Sequence, residues 1–270
     1  MIKLILTASI TLILSNVRGQ NFDACNEFFG KTYVFTNDVN LRSYPSLDSS
    51  ILYTVPFATE LREISTGGSL TIDGKVGNWR KVFYKDKVCF VWSHLIASII
   101  IRDLDNNNIL YLFGHGNEKP GKIKVIKLGR LLSEIETRFS PRNYNDFEAR
   151  DVSTEGIQKL LVISRYASKC GQISSSESFA WDGHQLHYFF TESAVADGRL
   201  LNYVKLEPVY EPIEKKGMFR YISIVGELKE KKFKEGGDPY DPRNIPYIEY
   251  TKNISKLMVW NGEKLVDFIE

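Results

Sequence analysis

Between Lys31 and about Ser98 the chain is cut into short β-prone runs by turn residues, with no helical periodicity of any length. Tyr33-Val34-Phe35 and Ile51-Leu52-Tyr53-Thr54-Val55 are rich in β-branched and aromatic side chains, and Pro56 stops the second run. Leu61-Arg62-Glu63-Ile64 alternates. Ser43-Tyr44-Pro45-Ser46, Thr66-Gly67-Gly68-Ser69 and Asp73-Gly74 are turn signals. Trp79 to Tyr84 and Val88 to Trp92 flank Lys85-Asp86-Lys87, the pattern of a hairpin. Many short strands at close spacing predict a small barrel. Leu41, Val55, Leu61, Val82, Val88 and Leu95 are its expected interior.

The front of the chain predicts export. Lys3 precedes an uncharged, mostly apolar run from Leu4 to Leu14, and Gly19 offers a small residue at the cut, so residues 1–19 read as a secretory signal. The run is shorter than the roughly 20 apolar residues a bilayer span needs, and no later segment is long and apolar enough. Cleavage removes Lys3 and Arg18 and no acid, so the 35 basic side chains fall to match the 33 acidic ones. A balanced chain gives no electrostatic case for nucleic acid. The run Lys229 to Glu235 is salted with acids and reads as a solvated face. The remaining 251 residues suggest two domains more readily than one.

Val39-Asn40-Leu41-Arg42 followed by Pro45-Ser46, then Val55-Pro56, Leu61, Trp79-Arg80-Lys81-Val82 and Phe90-Val91 with Leu95, resembles the bacterial SH3 (SH3b) family over about a quarter of the chain. Tyr44 stands where that family usually has glycine, and Cys89-Phe90-Val91 replaces its usual Gly-Trp-Val. The resemblance implies an SH3-like barrel over residues 31–97 after a lead at 20–30, and the strand-like remainder reads as a β-rich antiparallel domain over 98–270. It also implies docking to peptidoglycan or an envelope protein, in the periplasm or outside the cell. Asn40, Arg42, Tyr44, Trp79 and Trp92 are the candidate ligand-binding residues. Of these, Tyr44 and Trp92 are the expected exposed aromatics, and Trp79 reads as a barrel-wall residue ahead of a ligand contact. Cys25–Cys89 is the preferred disulfide among three cysteines, because it ties the lead to the last barrel strand; an unstrained bond of that loop length contributes about 2–4 kcal/mol.

The second half is also strand-like, from Ile109-Leu110-Tyr111-Leu112-Phe113 to Leu257-Met258-Val259-Trp260. Leu131 to Phe139 is the exception, where Leu131 and Ile135 have helical spacing. Trp181-Asp182-Gly183-His184-Gln185-Leu186 matches Trp260-Asn261-Gly262-Glu263-Lys264-Leu265, with a fainter copy at Lys127 to Leu132. Asp-Gly and Asn-Gly predict two-residue hairpins. The region reads either as ordinary hairpins in an irregular antiparallel sheet or as degenerate, propeller-like blades.

Catalytic and metal signals are weak. Asp103-x-Asp105-x-Asn107-Asn108 spaces oxygens as calcium loops do, but Gly114 stands where the closing acid belongs, so a solvated turn is favoured over a metal site. Cys170 with downstream His184 or His187 would suit a cell-wall hydrolase, yet Cys170 follows a strand and has no helix N-terminus to activate it. No zinc or phosphate-binding spacing is present. The expectation is a non-catalytic binding or scaffolding protein with no cofactor and no metal. The alternatives are the hydrolase and a protein–protein interaction module of the envelope.

Overall fold

The computed structural model describes residues 30–106, 108–115, 120–140, 146–152, 154–165, 173–197, 200–209, 217–229 and 247–269. The predicted signal, Cys25 and Cys170 lie outside them. The described chain is almost wholly β, in three antiparallel sheets.

The front sheet holds β1 (Lys31–Tyr33), β2 (Val39–Arg42), β3 (Ile51–Val55), β4 (Glu60–Ile72), β5 (Lys75–Tyr84) and β6 (Lys87–Trp92), in the order β1-β4-β5-β6-β2-β3. It curls around Leu41, Val55, Leu61, Val82, Cys89 and Val91 of its strands, with Val34 just beyond β1. Val88 is not among them. It is 42% exposed, because the inward parity on β6 belongs to Cys89 and Val91. Asp73-Gly74 and Lys85-Asp86 form two-residue turns with both residues at positive φ, closing Ile72 on Lys75 and Tyr84 on Lys87.

A short 3-10 turn at Ser93–Leu95 leads to the middle sheet: β7 (Ile99–Arg102), β8 (Ile109–Gly114), β9 (Lys122–Lys127) and β10 (Arg130–Glu136), paired in sequence. β8 is buried along its whole length because the sheet is covered on both faces. Ile109, Tyr111 and Phe113 pack one way, against Leu161, Ile163, Phe179 and Trp181. Leu110 and Leu112 pack the other way, with Tyr33, Phe35 and Ala97 of the front region. Gly114 lets the Phe35 ring close in, since a Cβ there would meet that ring at 3.0 Å. Lys124 donates to the Phe35 carbonyl at 3.0 Å, and its ammonium lies over the Phe35 and Phe57 rings. The helix considered for Leu131 to Phe139 is instead β10. The four-residue spacing of Leu131 and Ile135 is not needed once β10 pairs with β9 through a bulge at Leu131/Ser133.

The last sheet runs in chain order through β11 (Asp146–Arg150), β12 (Lys159–Arg165), β13 (Ile173–Trp181), β14 (Leu186–Asp197), β15 (Leu200–Pro208), β16 (Phe219–Lys229), β17 (Tyr247–Trp260) and β18 (Leu265–Asp267). It is one continuous meander. β14 and β15 pair only from Ser193↔Val204 outwards. Where they part, Phe189 packs on Phe219 and Trp260, giving the sheet a second core. The repeat at Trp181 and Trp260 is structural: both tryptophans pair with the leucine five residues on, and Gly183 and Gly262 have φ near 100°. The turns differ from the two-residue prediction. Four residues bridge each pair, and Asp182 or Asn261 accepts two backbone N–H groups through its side chain.

Candidate functional site

The parity that buries Leu41, Val82, Cys89 and Val91 sends their neighbours to the outer face of the front sheet. The sheet register sets these out as rungs. Trp79 stands opposite Trp92. Lys81 stands opposite Phe90, which pairs with Arg42, which pairs with Ile51. Arg62 stands opposite Phe83, which faces Val88. The Arg62 guanidinium lies over the Phe83 ring at 4.5 Å, which fixes both on this face. Asn40 shares the parity of Arg42, and its Oδ1 accepts the Thr54 hydroxyl at 2.8 Å.

Four of the five expected ligand residues therefore occupy one face, with Tyr44 in the turn beyond Arg42. Tyr44 is 70% exposed, and the turn is held by Arg42 donating to the Ser49 carbonyl and the Ser49 hydroxyl donating to the carbonyls of Tyr44 and Ser46. Leu47 and Ile51 are exposed nearby in sequence. The expected exposure of Trp92 is corrected, since it is 7% exposed. Gly77 leaves the slot, because a Cβ there would lie 2.5 Å from Trp92 Cζ2, and His94 stacks on the indole at 6.0 Å and 11°. Trp79, edge-on to Trp92 at 5.7 Å, is buried as well. This end of the face is closed. The part carrying Arg42, Lys81, Phe90, Arg62, Phe83 and Val88 is half-buried to exposed.

The open part is cationic. Among the described residues no carboxylate pairs with Arg42, Arg62 or Lys81, whereas Lys31 is bridged to Glu60 and Arg80 to Glu63. Lys85 and Lys87 lie off this face, over the Tyr84 and Tyr53 rings, which pack against the front core and meet edge-on at 5.3 Å. Sequence reasoning missed Arg62, Lys81, Phe83 and Phe90. Their signal was the alternation Trp79-Lys81-Phe83 against Phe90-Trp92.

The calcium-like loop has a different content. Asp103 is buried; its Oδ2 accepts the Tyr111 hydroxyl at 2.7 Å and its Oδ1 accepts the N–H groups of Asp105 and Asn106. The ammonium of Lys159, from β12, sits 3.8 Å from Asp103 Oδ1 and bonds to Asp105 and Asp151. Burial alone would lower the Lys159 pKa; hydrogen bonds to Asp105 and Asp151 outweigh it and hold the group above its ordinary value. Burial, then the bond to Asp103, pushes the Tyr111 phenol far up. A lysine thus supplies the positive charge in this loop. No group of three or more metal-ligating side chains occurs among the described residues.

Other chemistry is sparse. His187 Nε2 lies 2.9 Å from Asp182 Oδ2 and edge-on to Trp260, within the hairpin. Cys89 is a buried thiol whose pKa burial raises. A cavity of about 200 Å³ lies in the fork between β14 and β15, walled by Leu160, Phe189, Phe190, Leu206 and Phe219. Among the described residues no helix is long and apolar enough to cross a membrane.

No family model, curated protein or solved structure matches the chain.

Proposed function

We propose that the chain is a non-catalytic, exported binding or scaffolding protein of a cell envelope, periplasmic or secreted. In this reading its SH3b-like barrel, residues about 31–97, docks cell-wall peptide or another envelope ligand. The observation that supports this is the outer face of the front sheet, where half-buried aromatic rings stand between cations that no carboxylate of the described residues neutralises. Interaction surfaces are built in this way, from flat apolar anchors with a charged surround. A nucleophile set beside a base, which acyl transfer needs, has no counterpart on this face. The β4–β5 ribbon exposes Ile64, Leu70 and Val76, which favours a second reading in which the chain docks another envelope protein.

Co-sedimentation of the full chain with purified peptidoglycan sacculi tests the first reading. Saturable retention with no release of soluble fragments is expected. Absence of retention contradicts docking to the cell wall and leaves the envelope-protein reading, and lysis of the sacculi contradicts the non-catalytic assignment.

A further inference from the structure

We propose that the open outer face of the front sheet binds an acidic polysaccharide, its sugar rings resting on Phe83 and Phe90 and its acid groups held by Arg42, Arg62 and Lys81. This inference rests on the docking role proposed above and names the ligand class for that face.

The argument begins with what the face cannot do. β5 lies between β4 and β6, and β2 and β6 lie between neighbours and meet at Arg42↔Phe90, so the strands of this face are inside the sheet and not at its β1 or β3 edge. Strand addition, the usual way a sheet takes an extended peptide, requires a free edge and is unavailable here. Recognition at this face must come from side chains. Those side chains are of two kinds. Phe83 and Phe90 stand on adjacent strands, two residues out of step: Phe83 faces Val88, and Phe90 faces Lys81. Same-face positions offset in this way lie about 7–8 Å apart, a spacing that two ring-sized units of one chain can span. Neither ring carries a hydrogen-bonding group, so Phe90, and the side of Phe83 that Arg62 does not cover, offer flat apolar platforms.

The cations surround these platforms. Arg62 lies on the Phe83 ring, and Lys81 and Arg42 pair with Phe90 from either side. Arginine's planar fork suits the two oxygens of a carboxylate or phosphate, and lysine adds a mobile point charge. The chain itself does not neutralise these three groups with any carboxylate of the described residues, although it does so for Lys31 and Arg80 on the same sheet. A flat ring with an acid group, repeated along a polymer, satisfies both features together. A neutral glycan meets only the platforms, and a flexible acidic peptide meets only the cations.

Isothermal titration of the folded full chain tests the assignment, with polygalacturonate as the acidic polysaccharide, dextran as the neutral one, and poly-L-glutamate and an oligothymidylate as other polyanions. Polygalacturonate is expected to bind, with affinity falling as salt rises, and dextran, polyglutamate and the oligonucleotide at least tenfold more weakly. Arg62→Glu with Lys81→Glu, and separately Phe83→Ala with Phe90→Ala, are each expected to weaken polygalacturonate binding at least tenfold. The charge-reversal pair keeps the test valid if loss of the two rings unsettles the sheet. Equal or tighter binding of polyglutamate or the oligonucleotide overturns the proposal, as does unchanged affinity in the charge-reversed variant. Retention on sacculi without any polygalacturonate binding overturns the ligand class while leaving envelope docking standing.

Discussion

Like charges gather in two places in this protein, and they are treated in opposite ways. Asp103, Asp105 and Asp151 meet at the edge of the middle and last sheets, and Lys159 reaches in from β12 to neutralise them. Arg42, Arg62 and Lys81 share the outer face of the front sheet, and among the described residues no carboxylate answers them. The first cluster includes groups removed from water, where an unbalanced charge is expensive, so the fold supplies the counter-charge from its own chain. The second stays in contact with water, where self-repulsion is cheap. Internal neutralisation marks the acidic loop as structural despite its calcium-like spacing. Its absence on the outer face leaves charge available to a ligand.

The largest effect expected from breaking this comparison is at Lys159. Lys159→Met leaves Asp103 buried without its cation. Loss of one partner from a buried pair costs about 3–5 kcal/mol; the exposure of Asp105 and Asp151 holds the expected loss to the lower end, about 3 kcal/mol. The denaturant midpoint should fall accordingly at constant slope. Calcium should leave the melting temperature of the unaltered protein where it is.

A smaller loss is expected at Gly114, where the middle sheet meets the front region. Gly114→Ala drives a methyl into the Phe35 ring and should cost about 1–3 kcal/mol as overpacking. Ligand retention by the front sheet should survive, because Phe35 packs with Tyr33, Ala97, Leu110 and Leu112, away from the outer face.

Glu177 sharpens the contrast, since it is a buried acid with incomplete compensation. Its Oε2 accepts the backbone N–H of Arg138 at 2.7 Å, while the Arg138 guanidinium points largely to solvent. Burial raises its pKa more than these partners lower it. The folded state therefore holds this proton to higher pH than the unfolded state. Its contribution falls as pH rises from the ordinary glutamate range through the folded value. Glu177→Gln should remove that fall and raise stability above it, read from urea midpoints at a series of pH values. Unchanged pH dependence would remove Glu177 from the account.

The smallest effect on stability belongs to the outer face. Arg62→Glu and Lys81→Glu should each shift unfolding by no more than about 0.5 kcal/mol, the range of ordinary surface substitutions. A larger loss would mean that these cations serve the fold.

The β character and the early hairpins were legible because they depend on local chemistry. Asp73-Gly74 forms the turn its residues demand, and Trp79 opposite Trp92 follows from a short hairpin. Parity within a strand was harder. Assigning Val88 to the interior put β6 one residue out of phase, which concealed Phe90 and Lys81 as surface neighbours. Trp92 was expected outside because its cover, His94 and the slot above Gly77, is a matter of tertiary approach. The acidic loop was recognised, but Lys159 lies 54 residues from Asp105, and nothing local signals the pairing. The helical spacing in Leu131 to Phe139 gave way to strand pairing, which sequence periodicity cannot weigh.

The central claim is that ligand docking resides on the outer face of the front sheet. Sacculi co-sedimentation of two charge-reversed full-length variants with matched melting temperatures tests it most directly. One carries Arg62→Glu and Lys81→Glu; the other carries Lys205→Glu and Lys256→Glu on the last sheet. Retention lost at least tenfold in the first and kept in the second is the predicted result. Equal retention of both, or loss only in the second, would contradict the account.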